Sequence, residues 1–242
     1  MKHTFKYIGI IMFAGVFFAS CDPEPVNDKE LIEKQLKLSL DQVLNHTIAY
    51  DTVSDIEGNE YKTLVVGDYE WFAQNLRTTK LNDGTPIANI VEPEEWTVAS
   101  EAAYSSYKNT EKTAVHGLLY NYKVVETGKV CPEGWMVPND SIWFELTKEF
   151  AGKDTAGVFM KSPNVWHDDQ LANNKSGFSA VPSGMKEKNG KFYVMGENAF
   201  WWSDTRHNID NAMYFYIDKN TSLNNSHMFR EFGLSIRCVR KK

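Results

Sequence analysis

The chain has 242 residues, 42% hydrophobic and 13% aromatic, which suits one ordinary domain with additions and is too little for two full domains. A formal net charge of -6, with no local run of Lys or Arg, leaves no basic field for nucleic acid and sets that class of partner aside.

Residues 1–20 differ in kind from the rest. Lys2 and Lys6 give a short positive region, Ile8 to Ala19 is apolar, and the run is too short for an ordinary membrane span, so it reads as an export signal. Ala19-Ser20 before Cys21 resembles a bacterial lipobox, in which the signal is cut ahead of the cysteine and the new N-terminal Cys21 carries lipid, palmitate included. Phe18 stands where that pattern usually has Leu, and the alternative is a plain secretory signal with an incidental cysteine. Residues 21–50 then form a tether and a helix. Asp22-Pro23-Glu24-Pro25 is polar and stiff, and acidic residues so close to a lipidated cysteine resemble the surface-export signals of Bacteroidetes lipoproteins. The expected location is the outer membrane, with exposure at the cell surface. From Asp28 to Asn45, Leu31, Ile32, Leu36, Leu40, Val43 and Leu44 recur at helical spacing, predicting an amphipathic helix that packs on its own domain, on a partner or on the membrane.

The compact domain is expected over 51–242. Tyr61–Val66 and Tyr69–Ala73 flank Gly67-Asp68 and predict a hairpin. Leu118–Val125 is apolar enough to be buried, with helix and strand both open. The most informative stretch is Cys131–Gly152. Pro132 and Gly134 make a tight turn, Asn139 is a good N-cap, Asp140 suits the positive end of a helix, and Ile142, Trp143, Leu146 and Phe150 form its apolar stripe. Gly152 is the expected stop. Asp154–Ser176 reads as mostly loop, carrying Trp166-His167-Asp168-Asp169. Short strands follow at Phe178–Val181, at Gly184–Lys188 and Lys191–Met195 around Asn189-Gly190, and at Ala199–Ser203, Ala212–Ile217 and Gly233–Val239. In the last, Leu234, Ile236 and Cys238 share one face. Few helices and many short strands define an α+β domain.

Three cysteines occur in the chain, and assigning Cys21 to lipid leaves the pair Cys131 and Cys238 in a protein bound for an oxidising compartment. A disulfide is expected, closing a loop of roughly a hundred residues at about 4–5 kcal/mol in the chain-entropy account. The alternative is two separate buried thiols.

Gly58-Asn59-Glu60-Tyr61, Trp71-Phe72-Ala73-Gln74-Asn75-Leu76-Arg77, Asn82-Asp83-Gly84-Thr85-Pro86, Gly117-Leu118-Leu119-Tyr120-Asn121, Cys131-Pro132-Glu133-Gly134-Trp135, Gly177-Phe178-Ser179-Ala180, Trp201-Trp202-Ser203 and Ser235-Ile236-Arg237-Cys238-Val239 occur together in order. This set resembles the Fibrobacter succinogenes major paralogous domain, a family of bacterial surface and secreted proteins that is similar to the C-type lectin-like superfamily. The resemblance implies a long looping domain closed by its terminal strands. It implies no reaction, although the superfamily also contains formylglycine-generating enzymes. Both domain cysteines are better explained as a bridge than as a catalytic pair.

Metal-ligand spacing is absent from the six His residues. His167-Asp168-Asp169 has chelating types but reads as a solvated trio, and the calcium-binding segments of sugar-binding lectins have only a faint echo in Trp202-Ser203-Asp204. No cofactor or metal is expected, and no spacing locates a glycosidase carboxylate pair. Glycan binding without metal stays open. Alternation along the strand sends Trp201 and Trp202 to opposite faces, making Trp202 a weak candidate for ligand contact. The functional expectation is a non-enzymatic lipid-anchored envelope protein binding an extracellular glycan or surface protein, with a structural or adhesive assembly subunit as the alternative. Cys21→Ala is expected to abolish incorporation of labelled palmitate and to move the protein from the detergent to the aqueous phase of a Triton X-114 partition; retained label would place the lipid elsewhere.

Overall fold

A computed structural model describes residues 29–110, 114–167 and 171–242. Cys21, the signal and the tether lie outside the described residues, as do Asp168 and Asp169.

The helix expected over 28–45 is two short ones, α1 (Lys29–Gln35) and α2 (Leu40–Val43). The break falls at Ser39, whose extended backbone starts a new capping box with Gln42. Leu31, Ile32 and Val43 are buried, so the pair packs on its own domain. The chain continues through β1 (Asp51–Ser54), β2 (Glu60–Val66), β3 (Tyr69–Phe72), β4 (Ala88–Asn89), α3 (Pro93–Thr97), β5 (Ala103–Ser105) and β6 (Leu119–Tyr120). Then come α4 (Tyr122–Glu126), α5 (Asp140–Lys148), α6 (Lys153–Met160), β7 (Met185–Lys186), β8 (Phe192–Tyr193), β9 (Ala199–Arg206), β10 (Asn211–Ile217), β11 (Asn224–Phe229) and β12 (Val239–Lys241). Four small sheets result, in the orders β1-β2-β3-β12, β11-β10-β9, β4-β5-β6 and β7-β8. Only the β4–β5 pairing is parallel.

The Gly67-Asp68 hairpin forms as expected, with Val66 opposite Tyr69. The one at Asn189-Gly190 forms with shorter strands, and the Glu187 N–H donating to Lys191 O leaves a three-residue loop in place of the expected two. Asn139 caps α5 by accepting from Ile142 N at 3.1 Å. Leu118–Val125 divides into β6 and α4, so both candidate identities occur in sequence. Within 154–176, expected to be mostly loop, the first residues up to Met160 belong to α6. Its signal was weakened by Gly157, which a helix ordinarily disfavours. Here the glycine is required, because a Cβ would sit 2.7 Å from the Thr221 carbonyl oxygen.

Two cores share the C-terminal segment. Trp143 of α5 packs in the first against Trp71, Trp201 and Phe215. Leu234, Ile236 and Cys238 enter the second with Tyr120, Trp135 and Trp202. Residues 234–239 are buried on both faces. That segment pairs mainly through single bridges, and regular strand appears only in β12. Phe178–Val181, expected as a strand, contributes one bridge, Lys161 to Ala180. The disulfide joins Cys131 to Cys238, with Cα atoms 5.8 Å apart. β12 returns to β3, so the end of the chain closes onto its beginning.

His116 ties α1 to this frame. Its Nε2 lies 3.1 Å from Gln35 O and its Nδ1 3.4 Å from Ser183 Oγ, and burial pulls its pKa from 6.5 down to about 4. The unfolded chain therefore takes up this proton first as pH falls. Stability measured by urea denaturation is expected to drop by about 3 kcal/mol between pH 6.5 and 4 on this account, and to be fully present above that window. His116→Gln flattens this part of the profile; an unchanged slope would assign it to other groups.

Candidate functional site

The β9–β10 ladder positions the candidate site. Its last pair is Ala199 opposite Ile217, so the residues just beyond, Glu197-Asn198 on one side and Asp218-Lys219 on the other, leave the sheet side by side. Asp218 makes a tight turn by accepting from Asn220 N at 2.8 Å and from Asn220 Nδ2 at 3.2 Å. The opposite wall comes from the end of α6: Lys161 follows its last turn, and Trp166-His167 follow a few residues later. Lys161 Nζ donates to Asn220 O at 2.9 Å and sits 4.9 Å from the Trp166 ring centre, which joins the walls. The His167 N–H donates to Gly196 O at 2.7 Å and joins them again. Together these residues line a cleft of about 380 Å³.

Trp166 is only 5% exposed, yet its indole N–H has no hydrogen-bond partner among the described residues. Glu197 Oε1 is likewise shielded and unpaired. A third such atom, Gln35 Oε1, belongs to the side chain whose Nε2 donates to Val165 O, next to Trp166. An unmade hydrogen bond on a buried polar group costs about 1–3 kcal/mol, so a donor on Trp166 and an acceptor on Glu197, two residues lining one cleft, suit a polar molecule that supplies the missing partners. Neither atom is open to a water-sized molecule, so such a ligand would reach them only as the lining side chains shift. A second cavity of about 370 Å³, lined by Tyr107, Phe192 and Val194 among others, has no unpaired buried side-chain atom in its lining.

Trp202 lies elsewhere. It is 0% exposed, its Nε1 donates to Tyr120 O at 2.7 Å, and Trp201 on the opposite face is also 0% exposed. The expectation that one of the pair faces solvent is thus corrected: α5 covers one face of the sheet and the second core the other. Trp166 was passed over in the sequence because it stands in an aperiodic polar stretch, where an aromatic carries no facing signal. His167 lines the cleft; no cluster of metal-ligating side chains occurs among the described residues.

The class defined so far is a single-disulfide α+β domain with a polar cleft at the end of a three-stranded sheet. The sequence pattern of the Fibrobacter succinogenes major domain matches residues 65–240, and the chain belongs to that family. No curated protein and no solved structure matches the chain.

Trp202→Phe shrinks the buried indole to a phenyl ring and deletes its N–H, leaving Tyr120 O with the Leu234 N–H as its remaining donor. A loss of about 1–3 kcal/mol of unfolding free energy is expected, with ligand binding unchanged once the protein is folded; a binding defect at unchanged stability would return Trp202 to the site.

Proposed function

We propose that this is a non-enzymatic, lipid-anchored envelope protein whose C-type lectin-like domain binds an extracellular glycan in the cleft between Trp166 and Glu197. The observation that carries the reading is the unpaired indole N–H and carboxylate oxygen in the lining of one cleft. A sugar presents hydroxyls, each able to donate and accept, which is the complement of one unpaired donor and one unpaired acceptor on the residues of a single cleft. The cleft also holds two lysines and two carboxylates, so it exerts no net charge that would favour an ionic ligand over a neutral one. Asp218 is engaged by Asn220 through both oxygens, which suits a holding site better than a pair of carboxylates working as acid and base. Few helices, many short antiparallel strands and a last strand that pairs with an early one support the lectin-like assignment.

The test is a glycan array probed with the soluble chain from Lys29 to Lys242, with calcium and again with chelator. Binding to neutral glycans that survives chelation is expected. Trp166→Phe and Glu197→Gln should each weaken that binding at least tenfold while leaving the thermal midpoint within a few degrees. Loss of binding on chelation would replace this reading with a calcium-dependent one, and absence of binding would favour an assembly subunit.

A further inference from the structure

The wall of the cleft does not end at Trp166. His167 also lines a further cavity of about 570 Å³, together with Glu33 and Lys34 of α1, Gln42 of α2 and Lys37 between the two helices. The two cavities share His167 as a lining residue and so lie next to each other.

Contacts fix α1 to both walls of the first cleft. Gln35 Nε2 donates to Val165 O, beside Trp166, and Gln35 is only 1% exposed. Leu31 lies against Gly196, beside Glu197, so closely that a Cβ on Gly196 would sit 2.8 Å from Leu31 Cδ2. Gly196 also has a φ of 89°, a conformation a side chain would strain. The helix is therefore a buttress of the cleft, and its outer polar residues continue the groove. This further cavity repeats the charge balance of the first cleft, Glu30 and Glu33 against Lys34 and Lys37. A long polar groove without net charge fits an extended uncharged polymer, because each added sugar can meet further hydroxyl-binding side chains without a charge to match.

Resting on the glycan reading above, we infer that the ligand is a linear neutral polysaccharide bound along a groove that runs from Trp166–Glu197 past His167 to α1, with Lys34 and Lys37 forming a second subsite. The first subsite holds one or two sugars, and the second adds affinity only for chains long enough to reach it.

The probes are neutral oligosaccharides of two and of six units prepared from glucan, mannan, xylan and galactan, titrated calorimetrically against the Lys29–Lys242 chain. The six-unit member of the recognised series is expected to bind at least tenfold more tightly than the two-unit member. Lys34→Ala/Lys37→Ala changes two exposed side chains, so folding should persist, and it should bring the six-unit affinity down to the two-unit value while leaving the latter unchanged. Equal affinities for the two lengths, or a double variant that binds six units as the parent does, would overturn the extended groove and leave the glycan reading of the cleft standing. Binding of neither length in any series would overturn both.

Discussion

A guanidinium without a carboxylate holds this domain together. Arg237 is 0% exposed, and burial pulls its pKa down to about 9. Its Nε donates to Asn75 Oδ1 at 2.7 Å, Nη1 to Phe72 O at 2.9 Å and Phe178 O at 2.7 Å, and Nη2 to Ser179 O at 3.1 Å. The Phe178 ring lies 4.4 Å from its centre. Burying an unmatched cation is costly unless every donor is used, and the fork of an arginine can serve several carbonyls at once where a lysine offers a point charge. Asn75 extends the network. Its Oδ1 also accepts from Trp201 Nε1, and its Nδ2 faces His116 O, Ser183 Oγ and Ser235 Oγ. Segments distant in sequence are thereby fixed at one point, and the disulfide secures the residue that follows Arg237.

This centre explains how a domain of such short strands stays ordered. Strands of two or three residues cannot stabilise a sheet alone, and most here belong to small sheets whose faces are buried by other segments. Residues 233–239 run between the two cores and bond to β7, β6, β9 and β3 in turn or to residues beside them. With the frame so constrained, the loops beyond the β9–β10 ladder can hold polar atoms unpaired. The cost of Trp166 Nε1 and Glu197 Oε1 is local and is borne by packing elsewhere.

What could be read in the sequence was what local chemistry decides. Asn139 caps a helix because its side chain reaches the N–H three residues on, and Gly67-Asp68 turns because a two-residue loop matches strand twist. The cysteine pair followed from parity and compartment. Arg237 was not legible, because strand alternation assigns a polar residue to the wet side, and a segment threaded between two cores has no wet side. The same rule misplaced Trp202. The cleft was illegible for a different reason: its residues come from the end of α6, the two exits of a hairpin and, through Gln35, the N-terminal helix, and only the folded register brings them together.

The region matching the family begins at residue 65, so α1 lies outside it, yet α1 contacts both cleft walls through Gln35 and Leu31. Seven residues are too few for a helix to persist alone, and its order derives from those contacts and from His116. The dependence runs both ways. Gly196 needs Leu31 above it to be enclosed, and the carbonyl of Val165 needs the Gln35 amide. The segment that leads into the domain therefore also shapes the cleft proposed to hold the ligand. If Cys21 carries lipid as proposed, the chain from Cys21 to Lys29 spans at most about 29 Å, which keeps the α1 end of the groove close to the membrane. In the proposed groove, with the two cavities adjoining at His167, a polymer lying along the surface would enter sideways without presenting a free end.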